Sequence, residues 1–345
     1  MDTTGWAEAR RTRILVTMAE PFPAVPDLTR SLGDLLRQLP AGKVATCGDL
    51  AEALGNRIAA RWVGHFALHH DHRPGCPCHR IVRLGGELGG YAAGSIEDKA
   101  RRLAAEGVAV QEGRIDLERF GLREFVSDRP LERLRHVQEA IQRQIVLRPR
   151  RRMPKLTAGV DVAYPQPGLG VAAYALVETA TGELVWSTTV RRPVTFPYIS
   201  TYLSFREIPI LLELLDEVRR AGRMAEIFMV DGSGILHHRH AGIASHLGVT
   251  AALPTIGVTK KLLCGKVDIR AMAPGELRPV VHDDQLIGVA LRPTAGSLRP
   301  IFVSPGHRVD VSFCEQLVRQ LLRGHRLPEP IYWADRLSRG RTTQS

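Results

Sequence analysis

Between residues 121 and 157 the spacing of apolar residues changes from one period to another, and a single layered unit does not accommodate both. Before the change, Leu28, Leu32, Leu35 and Leu36, then Leu50, Ala51 and Leu54, then Ala60, Val63 and Gly64 recur at helical spacing. A further helix over residues 97–106 is expected to stop at Gly107. Pro40-Ala41-Gly42 and Gly55-Asn56 mark turns, so residues 48–70 read as two short helices joined by a turn, an arrangement that can lay one helix in a DNA groove. After the change, residues 157–164, 170–177, 184–190, 227–230 and 255–258 are short β-rich runs, with helical patterns at 208–220 and 313–323. A length of 345 residues suits two domains. The expectation is a mainly α unit with a helix-turn-helix over 1–122, and an α/β unit over 123–345 that begins with a helical stretch at 131–144.

Charge narrows the class of partner. With 47 Lys+Arg against 36 Asp+Glu the net charge is +11, which favours a polyanion, nucleic acid first. No apolar run reaches the ~18–20 residues of a membrane span, and Ile14-Leu15-Val16 is too brief for a signal-peptide core. The expectation is a cytoplasmic, nucleoid-associated protein with no membrane partner, acting as a monomer. Five scattered cysteines, Cys47, Cys76, Cys78, Cys264 and Cys314, make a poor disulfide framework and fit a reducing compartment. A special cysteine here is therefore reactive or metal-binding.

Cys78 is the first candidate. It stands in Pro77-Cys78-His79-Arg80, upstream of Leu88-Gly89-Gly90-Tyr91 and Glu106. A thiol needs a neighbouring base to become a nucleophile at neutral pH, His79 is adjacent, and Glu106 could orient the imidazole, which would give a Cys–His–Glu relay. A competing reading takes His69, His70, His72, Cys76, Cys78 and His79 as a zinc cluster, since imidazole and thiolate are the common zinc ligands. A third takes Cys78 as a structural thiol beside a surface histidine, the reading preferred for Cys47, Cys264 and Cys314.

Gly42-Lys43-Val44, Ala60-Arg61-Trp62-Val63-Gly64, Pro77-Cys78-His79-Arg80 and Gly89-Gly90-Tyr91-Ala92-Ala93-Gly94 follow in an order and spacing similar to the active-site domain of O6-alkylguanine-DNA alkyltransferases. The resemblance covers about residues 22–122. It implies that Cys78 accepts an alkyl group from guanine O6, with His79 and Glu106 as its relay. Arg61 would fill the gap left by a flipped nucleotide, and Tyr91 would contribute to DNA binding. Cys47 stands where that family usually has a tyrosine, and His70-Asp71 where it has Asn-Pro.

The second centre is acidic. Asp161 lies in a strand-like run, Asp231 ends another, and Glu207 falls between them in Leu203-Ser204-Phe205-Arg206-Glu207. Buried carboxylates are costly unless a hard cation joins them, and oxygen ligands suit magnesium or manganese. Such a site can activate water and stabilise in-line displacement at a phosphate.

The surrounding motifs resemble endonuclease V. They are Gly159-Val160-Asp161-Val162-Ala163-Tyr164, Pro197-Tyr198-Ile199, Val230-Asp231-Gly232, Pro254-Thr255-Ile256-Gly257-Val258-Thr259-Lys260, Ser304-Pro305-Gly306-His307 and Arg326-Leu327-Pro328-Glu329-Pro330. The resemblance implies an RNase H-like α/β fold with a mixed sheet that cuts at the second phosphodiester 3′ of a deaminated purine, chiefly deoxyinosine. By the same resemblance Asp161, Glu207 and Asp231 are metal-site acids, His307 lies near the attacking water, Lys260 balances phosphate charge and Tyr198 belongs to a strand-separating wedge. Together the two resemblances describe a bifunctional DNA-repair enzyme acting on duplex DNA. Two alternatives stand beside it: a first module that only reads lesions, and a nuclease directed at inosine in RNA.

Overall fold

The computed structural model describes residues 22–341, so the Ile14-Leu15-Val16 stretch lies outside the described residues. The first unit is mainly helical. Helix α1 (Leu28–Arg37) starts where the Asp27 carboxylate accepts the Arg30 amide at 3.0 Å, and its Leu28, Leu32, Leu35 and Leu36 stripe is buried. A two-residue strand β1 (Ala45–Thr46) leads into α2 (Cys47–Ala53), which Thr46 and Asp49 close with a reciprocal capping box. Helix α3 (Ala60–His69) completes the helix-turn-helix. Strand β2 (Ile81–Val82) pairs in parallel with β1, and α4 (Ile96–Ala105) opens on a second capping box, Ser95 with Asp98. A single turn, α5 (Leu117–Phe120), brings the Leu122 amide within 2.8 Å of the Val44 carbonyl.

The second unit begins with α6 (Pro130–Gln144), as the helical pattern anticipates. It continues through β3 (Leu156–Gln166), β4 (Leu169–Glu178), β5 (Leu184–Pro193), α7 (Leu203–Arg220), β6 (Ile227–Asp231), α8 (Ile243–Thr250) and β7 (Thr255–Thr259). The last elements are β8 (Leu277–His282), β9 (Gln285–Leu291), β10 (Ile301–His307), α9 (Val311–Gln320) and α10 (Glu329–Ser338). Eight strands form one sheet in the order β5-β4-β3-β6-β7-β10-β9-β8, parallel where β6 meets β3 and β7 and antiparallel elsewhere. Successive side chains alternate between its faces. Ala158, Val160, Phe228 and Val230 pack under α7 and α8, while Ile227 and Met229 pack under α9 and α10.

Gly159 decides how close α10 comes. It sits on the α10 face of β3, where a Cβ would overlap the backbone of Pro330 and Ile331. Only a glycine lets the first turn of α10 rest on the strand, and that contact sets where the helix's later residues land.

The two units share a core. Leu28, Leu35, Leu50 and Leu54 of the first cluster with Leu131, Leu134, Tyr202 and Phe205 of the second. The Leu131 amide, one of the first-turn donors that α6 cannot satisfy itself, donates to the Leu54 carbonyl at 2.8 Å. The Tyr202 hydroxyl donates to the Leu131 carbonyl at 3.1 Å and accepts from Asn56 Nδ2 at 2.9 Å.

Gly159→Ala should therefore destabilise the chain by about 1–3 kcal/mol, the usual cost of overpacking, because backbone and not a flexible side chain must yield. Urea denaturation checks this; a midpoint equal to that of the unsubstituted chain would contradict the close approach.

Candidate active sites

The acidic centre grows from the strand register. Parallel pairing sets Val160 beside Val230, so Asp161 and Asp231 follow on adjacent strands on the α10 face of the sheet. Helix α10 crosses that end and adds a third acid that the sequence reading did not single out, Asp335. One oxygen from each of Asp161, Asp231 and Asp335 lies within 4.8 Å of the others. Ser338, one turn further on, donates to Asp161 Oδ2 at 2.6 Å. A helix shows the same face every three or four residues, so the Asp335/Ser338 spacing is the signal that could have found it. Glu207 projects from α7, accepts from the Tyr164 hydroxyl at 3.3 Å, and lies outside the trio while still feeling its charge.

Burial dominates the electrostatics. It raises Asp161 to about 6, helped by Asp231 and Asp335 and opposed by the Ser338 bond. Burial also raises Asp231 against the pull of Lys260, and it raises Glu207 well above the carboxylate range, with Asp161 and Asp231 adding to the effect. Lys260 Nζ lies 3.2 Å from Asp231 Oδ2 and 3.4 Å from Asp335 Oδ1, and Arg339 lies 3.2 Å from Asp335. Two cations thus face three acids in a half-dry setting. An all-oxygen donor set with surplus negative charge fits a hard divalent ion.

The structure does not bring His307 to the acids. Strand β7 pairs Val258 with both Asp231 and Val303, but His307 pairs with Thr255, three residues or about 10 Å along the strand. Because β10 runs antiparallel to β7, its end leads away from the acids. His307 is buried, lowered to about 4 mainly by that burial, and its Nδ1 accepts the Val146 amide at 3.3 Å. The Ser304-Pro305-Gly306-His307 motif instead cradles the turn after β6: the Gly234 amide donates to Ser304 Oγ at 2.9 Å and that of Ile235 to the Pro305 carbonyl at 2.8 Å.

Beside the acids opens a pocket of about 230 Å³ lined by Asp231, Gly232, Ser233, His237, Lys260 and Tyr198 among others. Tyr198 projects from the loop before α7 with 68% of its surface exposed. Burial lowers His237 to about 3, leaving a neutral ring in the pocket wall.

The first unit places Cys78 in a 3-10 turn, Pro77–Arg80, buried beside His79. His79 Nε2 meets Glu106 Oε1 at 2.8 Å, as the relay requires. Arg80 holds the same carboxylate through two bonds, 2.7 and 2.8 Å, which, with His79, outweigh the opposing effect of burial and hold Glu106 at about 2. The sulfur itself faces a different imidazole: Cys78 Sγ lies 3.3 Å from His72 Nδ1, while His79 Nδ1 is buried without a partner. Burial, with Cys76 adding to it, pushes the Cys78 thiol up to about 12. Lys99, buried and lowered to about 8 by that burial, ties the loop by donating to the carbonyls of Ile81 at 2.5 Å, Leu88, and Gly90 at 3.1 Å.

Arg61 is exposed on α3. Tyr91 is buried, its ring meets His72 edge-on at 5.9 Å, and its hydroxyl lacks a partner. The tyrosine forms part of the wall around Cys78 because the glycine pair before it folds the loop inward, against Leu68.

Known proteins divide along the same lines. A family model for endonuclease V matches residues 139–336, more than half of the chain. The chain belongs to the endonuclease V family. A second model, described as the 6-O-methylguanine DNA methyltransferase DNA-binding domain, matches residues 27–108 of this endonuclease V relative. Its mainly helical first unit thus carries an alkyltransferase-like domain. A bifunctional methyltransferase/endonuclease from Picrophilus torridus is 32% identical over 299 residues, 87% of this chain and 92% of the relative. Endonuclease V of Rippkaea orientalis is 39% identical over 215 residues, 62% of this chain and 92% of the relative. Among solved structures, human ENDOV superposes with a TM-score of 0.56 at 32% identity, covering 61% of this chain and 97% of that one. The Ciona intestinalis enzyme, in complex with a 24mer DNA containing an inosine followed by a ribo-adenosine, gives 0.55 at 26% identity, covering 62% and 98%.

The raised acid has a measurable sign. Folded Asp161 keeps its proton to about pH 6, whereas the unfolded chain releases it near 3.8, so the folded state binds more protons across that window and loses stability as pH rises through it. In chelator, Asp161→Asn should remove this loss and be more stable than the unsubstituted chain at pH 7 by roughly 2–3 kcal/mol, converging with it below pH ~4. Parallel denaturation curves at the two pH values would expose an Asp161 that is not strained.

Proposed function

We propose that this chain repairs two kinds of abnormal purine: Cys78 accepts alkyl groups from guanine O6, and the acidic centre nicks DNA at the second phosphodiester 3′ of deoxyinosine. The observation that carries the reading is one chain bearing both a sulfur beside a fixed His79–Glu106 pair and a carboxylate trio beside a purine-sized pocket. The net charge of +11 supports a DNA partner. No described helix is long and apolar enough to cross a membrane. We assign the activities to residues 1–122 and 123–345, acting as a monomer with the nucleoid of the cytoplasm.

In the transfer, a flipped guanine brings its alkyl carbon to Cys78. A sulfur–carbon bond forms as the carbon–O6 bond breaks, the electron pair leaves on guanine, and the thiol proton ends on the released base, with His79 as the base once the sulfur, which faces His72 at rest, turns to it. Glu106 holds the ring that accepts it, and Arg80 holds Glu106. Exposed Arg61 stands on α3 to occupy the vacated stack.

In the nicking reaction, Asp161, Asp231 and Asp335 would hold magnesium or manganese, with Glu207 next to them. The bound ion would bring positive charge to the scissile phosphate and the incoming water. Lys260, 3.2 Å from Asp231, would balance the charge that develops on the phosphate oxygens. Tyr198 can stand in for a displaced base while the deaminated purine enters the pocket.

Two substitutions separate the activities. Cys78→Ser should abolish the mass gain of the chain on an O6-methylguanine duplex and leave deoxyinosine nicking intact. Asp335→Asn should reduce magnesium-dependent nicking roughly 100-fold or more and leave the mass gain intact. Full nicking by the Asp335 variant would remove α10 from the catalytic site. An inosine RNA strand cut faster than the deoxyinosine duplex would redirect the nuclease to RNA. Arg61→Ala should weaken alkyl transfer far more than nicking, and equal losses would make Arg61 a general DNA contact.

A further inference from the structure

Four side chains around the acceptor turn converge, although transfer uses only one of them. His70 Nε2 lies 3.3 Å from Cys76 Sγ, His72 Nδ1 lies 3.3 Å from Cys78 Sγ, and all four ligand atoms lie within 4.8 Å of one another. Zinc bonds of about 2.3 Å to sulfur and 2.0–2.1 Å to nitrogen in a tetrahedron set nitrogen–sulfur edges near 3.6 Å and a sulfur–sulfur edge near 3.8 Å. The observed spacings need only a small adjustment to meet them.

The second observation is the orientation of His70. Its Nδ1 faces the Phe66 carbonyl at 2.9 Å, and its ring stacks on Phe66 with centroids 4.7 Å apart. A carbonyl accepts and cannot donate, so Nδ1 carries the hydrogen and Nε2 presents a lone pair toward Cys76. Metal-binding histidines are commonly fixed in this way, the second ring nitrogen donating to a backbone carbonyl. The two other members of the six-residue cluster are engaged elsewhere: His69 Nδ1 bonds the His65 carbonyl at 2.9 Å, and His79 bonds Glu106. What remains is two imidazoles and two thiols, a set that suits zinc and that a hard oxygen-seeking ion would not choose. The segment that carries them, from His70 to Cys76, has neither helix nor strand, and its Asp71, Arg73, Pro74 and Gly75 are exposed.

We propose that His70, His72, Cys76 and Cys78 bind one zinc ion, making the sulfur assigned as alkyl acceptor one of its ligands. The site stands on geometry that does not depend on alkyl transfer. Its consequence, if Cys78 is the acceptor, is that zinc and alkyl group share one sulfur, and a zinc-bound sulfur is a thiolate, the nucleophilic form.

The test uses the full untagged chain without DNA. Zinc loading followed by dialysis should leave one thiolate-bound zinc per chain by elemental analysis and native mass spectrometry. Cobalt(II) in its place should give tetrahedral d–d bands and a thiolate-to-cobalt charge-transfer band. Cys76→Ser and His70→Gln should each weaken zinc affinity at least tenfold against a chromogenic chelator, while Asp231→Asn leaves it unchanged. A cobalt spectrum without the thiolate band overturns the site in the unsubstituted chain, whatever the variants do. Equal zinc affinity in Cys76→Ser, or loss of the zinc in Asp231→Asn, overturns it as well. Because no alkylated substrate enters, failure of Cys78 to accept an alkyl group would leave these readings untouched.

Discussion

Mutual repulsion among carboxylates at one end of two parallel strands is the constraint that organises the second unit. Asp161, Asp231 and Asp335 converge, with Glu207 buried behind them, and burial makes the charges of Asp161, Asp231 and Glu207 expensive. The chain meets that cost in three ways: Lys260 spans two of the acids, Arg339 pairs with one, and Ser338 donates to another. Asp335, Ser338 and Arg339 all come from the end of α10 and its cap. The helix can deliver them only because Gly159 lets its first turn touch β3. A missing methyl group at one end of the contact therefore fixes acid geometry at the other.

The first unit solves the opposite problem. The Cys78 sulfur is held away from water, and burial pushes it toward the unreactive thiol. Positive and imidazole groups gather accordingly: Lys99 beneath the loop, His72 against the sulfur, and His79 locked by a carboxylate that Arg80 in turn immobilises.

Much of this was legible in the residues. The leucine stripes of α1 and α2 and the β-branched runs of β3 to β7 carry strong periods because each buries one face or two. Asp161 and Asp231 could be found because each interrupts or ends such a run. Other parts were silent for physical reasons. Helix α8 is buried on nearly every side, so it has no polar face to mark its period. The edge strand β8 and its neighbour β9 mix exposed and buried positions in short stretches. Asp335 looks like an ordinary surface acid until the path of α10 is known. The place of His307 was hidden because strand direction, which decides its end of the sheet, is not written locally. The burial of Tyr91 was hidden too, since it depends on how the preceding glycines turn the loop.

The shared core between the units has an implication for inheritance. Leu131 and Leu54 exchange a backbone bond, and the Tyr202 phenol is satisfied from both sides of the junction. Splitting the gene at that point would give two polypeptides, one with an orphaned helix start and a bare leucine cluster, the other with an asparagine and a carbonyl facing water. Such halves would adhere to each other or to bystanders, so a lineage could lose either activity by point mutation far more readily than by fission.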